Sequence, residues 1–253
     1  SDQGDPAPYK RFTIPKRSGA AREICAPGRQ LKHVQRRILD KIVSLVPVHE
    51  DVHGFVEGRS IVSNAEPHLG AELVVKFDLV DFFPTIHYFR VLGLFASLGY
   101  YVSTGRFSSD DASLNVAPTL ARLCVYTADP KIWAGGNLCG ILPQGAPASP
   151  AISNLVCRRM DARLAGLARQ CQGTYTRYAD DLTFSFRHQE TRLGRFRWWV
   201  DQICHQEGFL VHQDKFRAIR RSQRQQVTGV VVNDELRVPR TTRRKLRAII
   251  HNC

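Results

Sequence analysis

The chain has 253 residues, of which 43% are hydrophobic and 23% are charged, a balance typical of folded globular proteins and not of disordered ones. No apolar run approaches ~20 residues and no signal-peptide pattern opens the chain, so we expect a cytoplasmic protein with no membrane partner. The seven cysteines include no Cys-x-x-Cys pair, which argues against a zinc finger or a disulfide framework and for a reducing compartment.

The net charge of +13 is concentrated towards the two ends of the chain. Residues 10–41 hold ten Lys and Arg against two acidic residues, and residues 215–247 hold eleven against two. Between them, residues 42–214 carry fifteen basic and seventeen acidic residues. Two basic regions around a near-neutral body predict a polyanion ligand, because phosphate neutralisation drives most nucleic-acid affinity. A general preference for arginine in a GC-rich genome is the alternative explanation.

Three elements are predicted in the first 70 residues. Residues 12–24 predict two short strands around a turn at residues 16–19. Apolar residues at helical spacing predict a helix over residues 30–46, ended by Pro47. A second, short helix is expected from Ser60 to about His68.

Residues 49–53 match the zinc-protease pattern H-E-x-x-H, whose two histidines must share one face of a helix. Pro47 precedes the pattern and Gly54 follows it at once, so a helix is not expected here. The metalloprotease interpretation is therefore set aside.

The middle of the chain predicts a strand and three helices. Residues 71–80 form an apolar strand pattern that contains Asp78. Helices are expected over residues 88–98 and 110–127, the second of them broken near Pro118. Ser149 is a good helix cap with proline next to it, and its helix is expected to run to about Gln170.

A hairpin is predicted over residues 174–186, because β-favouring residues alternate on both sides of Asp180 and Asp181. The two aspartates would lie at its tip. A helix over residues 191–206, a strand over 226–233 and a basic helix from Thr241 to His251 complete the chain. This order predicts an α+β fold, an antiparallel sheet backed by helices.

Asp78 could provide a third carboxylate beside Asp180 and Asp181 at the tip of the predicted hairpin. Adjacent carboxylates repel one another, and a divalent cation removes that penalty. If the strand of Asp78 pairs beside the hairpin, three carboxylates converge, enough to hold two Mg²⁺ about 3.5–4 Å apart for phosphoryl transfer. Asp81 is the competing candidate, but strand alternation puts it on another face, which predicts a structural or capping role.

Three stretches together resemble motifs A, B and C of reverse transcriptases: residues 77–83, residues 142–150 and Tyr178-Ala-Asp-Asp181. The resemblance extends from Ile14 to Asn233 and implies a right-hand polymerase. The implied domains are 1–70 as fingers with an N-terminal lead-in, 71–108 as palm with motif A, 109–141 as a helical insertion of fingers and palm, 142–226 as palm with motifs B, C and D, and 227–253 as the start of a helical thumb, truncated relative to the family.

Two further elements resemble those of bacterial retron reverse transcriptases. Residues 64–68 match the N-A-x-x-H element and residues 227–229 the V-T-G element. The resemblance implies that these residues help to recognise a structured RNA, namely Asn64, His68, Val227, Thr228 and Gly229. From the residues alone, Asn64 and His68 could equally be a buried, hydrogen-bonded polar pair.

The resemblance also implies roles at the reaction centre. Asp78, Asp180 and Asp181 would be the catalytic, metal-binding carboxylates. The residues implied to contact the incoming dNTP are Lys16 and Arg22 at the triphosphate, with Arg17 a rival for Lys16, Phe83 under the sugar, Gln144 of motif B, and Lys215 near the pyrophosphate. A core phenylalanine is the alternative for Phe83, and one more cation in a basic run is the alternative for Lys215.

The implied partners are a structured non-coding RNA template and its cDNA product. Enzymes of this kind prime from a 2′-hydroxyl within the RNA, and together with an effector protein they act in defence against phage. Other interpretations stay open: a group II intron-like or other bacterial reverse transcriptase, or a catalytically weak RNA-binding module of a defence complex.

Overall fold

The computed structural model describes residues 8–15, 21–102, 115–127, 140–187 and 192–251. The chain divides into two compact units, each made of two segments. Unit 1 combines Ser1–Pro47 with Asp81–Val156, and unit 2 combines Val48–Val80 with Cys157–Cys253. The boundaries proposed above for fingers, palm and thumb stay a prediction. Across the described residues, no helix is long and apolar enough to cross a membrane.

The described residues form helices and strands that alternate along the chain. In order they are β1 (Tyr9–Pro15), β2 (Ala21–Pro27), α1 (Arg29–Lys41), α2 (Ile61–Ala65), β3 (Leu73–Asp78), α3 (Tyr88–Ser97), α4 (Val116–Cys124), α5 (Ser149–Val156), α6 (Arg158–Gln170), β4 (Gly173–Tyr178), β5 (Asp181–Phe186), α7 (Leu193–Gln206), β6 (Arg217–Arg220), β7 (Gln226–Val227), β8 (Val230–Val231) and α8 (Arg240–His251). Short 3-10 helices lie at Val43–Leu45, Glu66–His68 and Gln213–Lys215.

In unit 1, β1 and β2 form the predicted antiparallel hairpin, with Tyr9 opposite Pro27 and Pro15 opposite Ala21. The turn that was expected at residues 16–19 lies outside the described residues. Helix α1 ends at Lys41, earlier than predicted, because Ile42 leaves the helical conformation and a 3-10 helix follows.

Two helix predictions in this region were wrong in detail. Helix α4 continues through Pro118, which occupies its first turn, where a missing N–H costs no hydrogen bond. The helix expected from Ser149 to Gln170 is two helices, α5 and α6, separated at Cys157. Ser149 also does not cap: it lies inside α5, and its buried hydroxyl has no hydrogen-bond partner among the described residues. Helical periodicity across residues 149–170 conceals a one-residue break.

Unit 2 contains the predicted sheet, four antiparallel strands in the order β4-β5-β3-β6. One face is apolar: Val75, Phe77 and Phe184 pack there, and the ring of Phe184 lies 5.0 Å from that of Phe196 in α7. Large buried aromatic rings contribute much of the burial energy of such a core. The opposite face carries Lys76 and Asp78 of β3, because successive side chains of a strand alternate. This polar face is where the carboxylates lie.

The predicted strand over residues 226–233 is instead a tight hairpin of β7 and β8. Thr228 and Gly229 form its turn, with φ values of 46° and 88°. Two consecutive positive φ values are the geometry of a two-residue hairpin turn, which glycine accepts at no steric cost. Val227 and Val230 are buried in a small cluster with Ala65 and Val74.

Candidate active site

The predicted convergence of Asp78 with the hairpin tip is present. Strand β3 pairs antiparallel with β5, and Asp78 lies directly opposite Asp181. Directly opposed residues of an antiparallel pair point to the same face, with Cβ atoms about 4.5–5.5 Å apart. The two carboxylates therefore lie side by side at the end of the polar face.

Asp180 lies in the turn between β4 and β5, one residue before Asp181. Its carbonyl oxygen accepts a hydrogen bond from the backbone N–H of Leu79 at 3.0 Å, so the turn is joined to the residue that follows Asp78. Ala179, which opens the turn, has a φ of 59°. A left-handed conformation at a residue other than glycine is uncommon and needs support from its surroundings.

Electrostatics around the three aspartates favours a cation. Burial raises the pKa of Asp180, and the charges of Asp78 and Asp181 raise it further. Burial likewise raises the pKa of Asp181, which Lys76 lowers and Asp78 raises. These shifts come from desolvated carboxylates that repel one another.

Lys215 supplies one countercharge. It ends the 3-10 helix Gln213–Lys215, and its Nζ donates to Oδ2 of Asp78 at 2.5 Å. This hydrogen bond raises the pKa of Lys215. A backbone hydrogen bond also joins this 3-10 helix to β3, since the N–H of His212, just before the helix, donates to the carbonyl oxygen of Asp78 at 2.7 Å. The structure thus places Lys215, which was predicted to lie near the pyrophosphate, against a predicted metal ligand.

The donor set suits Mg²⁺, which prefers hard carboxylate oxygens. In the part of the chain that the structure describes, no three His, Cys, Asp or Glu side chains are arranged so as to enclose an ion by themselves. Mg²⁺ does not require such an enclosure, because it is commonly held by one or two carboxylates together with substrate phosphates and water. Two opposed aspartates with a third in the adjoining turn fit that mode of binding.

Asp81 lies in unit 1, in a turn after β3, with a φ of 43°. Its carbonyl oxygen accepts hydrogen bonds from the N–H of Thr85 at 2.9 Å and from the hydroxyl of Thr85 at 3.2 Å. The backbone of Asp81 therefore closes a turn, and its side chain is exposed.

Unit 1 brings two of the predicted nucleotide contacts onto connected elements. The carbonyl oxygen of Gln144 accepts a hydrogen bond from the N–H of Cys25 in β2 at 2.8 Å. Gly145 has a φ of 116°, and a Cβ there would lie 2.7 Å from Cγ2 of Ile24. Arg22 is exposed and shares a face of β2 with Ile24, two residues away. Motif B thus lies against the strand that carries Arg22.

The other predicted contacts of unit 1 are Phe83 and Lys16. Phe83 is half-buried, and its ring lies 5.3 Å from that of the buried Phe82. Phe82 is therefore the core residue of the pair, and Phe83 keeps an accessible surface. Lys16 and its rival Arg17 lie outside the described residues.

The residues predicted to contact RNA lie largely in the interior. His68 is 0% exposed, and its two ring nitrogens bond to the hydroxyls of Ser185 at 2.7 Å and Thr176 at 2.8 Å. Asn64 is also buried, and its Nδ2 donates to Oγ1 of Thr228 at 3.4 Å. The N-A-x-x-H element thus connects the acidic hairpin to the V-T-G turn through side chains.

Three residues next to the acidic tip were missed at the sequence level. Arg177 and Asp161 form an ion pair in which both side chains are 0% exposed, and Gly54 packs its backbone against Ala179. One signal was available for the pair: each interrupts a pattern of apolar or neutral residues in a predicted strand or helix. An arginine in a basic chain does not, however, reveal its burial.

Comparison with known proteins supports the polymerase fold independently of the site geometry. Residues 117–232 match the family model described as reverse transcriptase (RNA-dependent DNA polymerase). Among solved structures, telomerase from Candida albicans with a fragment of telomeric RNA superposes with a TM-score of 0.58 at 14% identity, covering 91% of this chain and 46% of that one. A foamy viral protease-reverse transcriptase bound to double-stranded DNA gives 0.50 at 15% identity, covering 94% and 32%. These likenesses define the fold as that of right-hand polymerases.

Curated relatives narrow the assignment. The chain is 42% identical to the retron Mx162 reverse transcriptase of Myxococcus xanthus and 32% identical to the retron Ec86 reverse transcriptase of Escherichia coli. Each alignment covers 96% of this chain, with 52% and 69% of the respective relative. The chain thus belongs to the retron reverse transcriptases, and it spans about half the length of the Myxococcus relatives that it matches.

Proposed function

We propose that the chain catalyses RNA-templated DNA synthesis, with Asp78, Asp180 and Asp181 as the carboxylates of its reaction centre. The observation that supports this most directly is the register pair of Asp78 and Asp181, which brings two carboxylates together beside Asp180. Repulsion between neighbouring carboxylates destabilises a purely structural site. In a site for a metal-bound triphosphate, the same repulsion favours binding of the cation that relieves it.

Bound Mg²⁺ would lower the pKa of an attacking hydroxyl and stabilise charge on the phosphoryl group and the leaving pyrophosphate. The chain's own residues have complementary tasks. The aspartates hold negative charge at a fixed place at the end of the sheet. Lys215 offers an ammonium proton next to Asp78, consistent with a role as donor to the leaving group. This role for Lys215 is part of the proposal.

For unit 1 we propose nucleotide contacts by Arg22, Phe83 and Gln144, and by Lys16. The exposed guanidinium of Arg22 suits a triphosphate, because arginine presents several donors in a fixed plane. The accessible surface of Phe83 suits a steric check on the sugar. Gly145, whose φ of 116° favours glycine, would let the backbone approach the base pair.

We further propose that the template is a structured non-coding RNA and that the product is its cDNA, as the resemblance to retron reverse transcriptases implies. The phosphate-binding surface would come from exposed basic residues such as those of α8, among them Arg243, Arg244 and Lys245. An effector protein and a role in defence against phage remain predictions from the resemblance.

The direct test replaces Asp180 and Asp181 together by asparagine. We expect Mg²⁺-dependent cDNA synthesis to be lost while RNA binding persists, because the charge that holds the metal is removed and the basic surface is not. Asp40→Asn, at an exposed position of α1, is the matched control and should retain synthesis. Synthesis that survives in the double variant would refute the assignment of the carboxylates.

A second experiment tests the template. The protein is purified from its native host and the co-purifying nucleic acid is sequenced. A branched RNA–DNA hybrid supports the proposed function, whereas RNA without attached DNA favours an RNA-binding module with weak catalysis.

A further inference from the structure

The turn that carries Asp180 is held from the interior by a buried arginine. Arg177 lies in β4 on the apolar face of the sheet, opposite Leu182. Its Nε and Nη2 donate to the two carboxylate oxygens of Asp161 at 2.7 and 2.8 Å, and Tyr175 donates its hydroxyl to the same carboxylate at 2.8 Å. Its Nη1 donates to the carbonyl oxygen of Ala179 at 3.1 Å. One guanidinium therefore connects helix α6 with the turn.

Stability alone is a weak reason for this arrangement. Removing two charges from water is costly, and a buried ion pair is often no more stabilising than apolar side chains of the same volume. Burial lowers the pKa of Arg177, but the interactions with Asp161 and its other partners together raise it by more, so the guanidinium carries a full buried charge that needs partners. Arg177 also donates a hydrogen bond to the carbonyl oxygen of Ala179, a contact that an apolar side chain could not make.

A second support comes from residues 51–54, here called the edge segment, which run beside β4. The N–H of Arg177 donates to the carbonyl of Asp51 at 2.8 Å, and the N–H of His53 donates to the carbonyl of Arg177 at 2.8 Å. A Cβ at Gly54 would lie 2.5 Å from the nitrogen of Ala179 and 3.0 Å from the carbonyl carbon of Tyr178. Backbone atoms thus leave the turn no room on this side.

The edge segment is itself anchored. Nη1 of Arg59 donates to the carbonyl oxygens of Glu50 and Val52, which lie immediately before and within it. The match to H-E-x-x-H therefore describes a stretch whose backbone supports β4 instead of a helix that ligates zinc.

We propose that Arg177 and Gly54 are positioning residues that together fix where the turn at Ala179 places the carboxylates of Asp180 and Asp181. Ala179 has a φ of 59°, and such strained conformations persist where the surroundings over-determine them. The proposal rests on the proposed function, because only a reaction centre needs its carboxylates placed to a fraction of an ångström. Misplacement of reacting groups by about 1 Å can cost on the order of 100-fold in rate.

The first test replaces all three polar groups by apolar ones of similar volume, Arg177→Met with Asp161→Leu and Tyr175→Phe, so that no buried charge or hydroxyl loses its partner. Mn²⁺ binding to the substrate-free protein is measured by electron paramagnetic resonance, alongside the thermal midpoint, kcat, and KM for primer-template. We expect a cooperative thermal transition, Mn²⁺ affinity reduced about 10-fold or more as for lost outer-shell partners, and a lower kcat with little change in KM.

The second test uses glycine pairs. Gly54→Ala forces the backbone of the turn and the edge segment apart, whereas Gly166→Ala, in α6 of the same unit, meets no atom within 4 Å and serves as the control. We expect the first variant to lose Mn²⁺ affinity and kcat and the second to behave as wild type. Gly54→Ala decides the proposal by itself if the triple variant does not fold.

Wild-type Mn²⁺ affinity and kcat in folded Gly54→Ala protein, or in the folded triple variant, would overturn the proposal and leave the buried pair a purely structural one. The proposed function fails differently. It fails if Asp181→Asn leaves both the Mn²⁺ binding and the cDNA synthesis at the wild-type level. The two results are therefore distinguishable, because the first concerns only the positioning variants and the second the carboxylates themselves.

Discussion

His68 shows how a single buried residue changes the interpretation of a motif. Its ring bridges Ser185 and Thr176, on the two strands of the acidic hairpin, and none of its surface is exposed. Burial lowers the pKa of His68 to about 3, so the ring is neutral at physiological pH. An RNA contact by this side chain stays a prediction, and its present contacts are those of a brace for the hairpin.

The lowered pKa of His68 makes stability pH-dependent. In the unfolded chain a histidine titrates near ~6.5, so as the pH falls below that value the unfolded state takes up a proton that the folded state does not. The part of the free energy of unfolding that depends on a neutral His68 is therefore fully present above pH ~6.5. It is lost as the pH falls towards the folded pKa of about 3, at up to about 1.4 kcal/mol per pH unit.

The measurement compares urea unfolding of wild type and His68→Gln at pH 7.5 and pH 5. We expect wild type to lose about 2 kcal/mol more than the variant over this interval. An equal loss in both proteins would contradict the assignment of a neutral, buried imidazole.

Phe83 offers a second test of one residue. Replacing it with valine shortens the half-buried side chain and leaves the core residue Phe82 in place. If Phe83 limits space at the sugar, Phe83→Val should incorporate ribonucleotides more readily, by about 10-fold or more, since removing a steric contact relaxes discrimination. Primer extension with dNTP and rNTP mixtures measures the ratio. Phe82→Val, which alters only the core, should lose stability without gaining ribonucleotides.

At the scale of elements, the helix of the N-A-x-x-H element and the turn of the V-T-G element pack against each other. Thr228 donates its hydroxyl to the carbonyl oxygen of Ile61 at 3.0 Å and accepts from Asn64. Ala65, Val227 and Val230 share a buried cluster beneath them. Asn64 and Thr228, 164 residues apart in the chain, are therefore neighbours in the fold.

A double-mutant cycle measures this coupling. Asn64→Ala and Thr228→Ala should destabilise the protein by less together than the sum of their separate effects, with a coupling energy of about 0.5–1.5 kcal/mol, typical of a hydrogen bond. Chemical denaturation of the four proteins gives the value. Asn64→Ala combined with Thr119→Ala, in unit 1, is the control and should be additive. Additivity of the first pair would show that the contact carries no energy.

For the whole molecule, the distribution of charge bears on the nucleic-acid binding that we propose. The basic residues of α1 and α8 are mostly exposed, while the three aspartates of the candidate site are half-buried. Exposed lysine and arginine attract phosphates at a distance and release counterions on contact. Affinity for RNA should therefore depend on salt far more than on any single side chain.

Removing charge from α8 should reduce that dependence. With Arg243, Arg244 and Lys245 all changed to glutamine, the slope of log K against log salt should become shallower by about 2–3 if each neutralises one phosphate. Filter binding with one structured RNA between 50 and 300 mM KCl gives the slope. Wild-type protein with a flat response would contradict a phosphate-binding surface, and an unchanged slope in the variant would exclude α8 from it.

The carboxylate pair could be predicted because its causes are local. The strand ending in Asp78 and the hairpin around Asp180 and Asp181 can each be recognised from the strand-like pattern of neighbouring residues. Once both are strands of one antiparallel sheet, their ends must meet. The break at Cys157 and the turn at Thr228 could not be predicted in this way, since helical or strand-like composition continues across both.

By itself, the sequence determined the class of fold, the antiparallel sheet and the three aspartates, because periodicity and the ordered motifs depend only on neighbouring residues. Tertiary structure alone decided which polar residues are buried. In the sequence, Arg177 looks like one more cation of a basic chain, and His68 could be either an RNA contact or part of a buried polar pair. The folded chain decides, because Asp161, Ser185 and Thr176 surround them. The free energy of a buried charge or imidazole is set by partners remote in sequence, and only the folded chain brings those partners together.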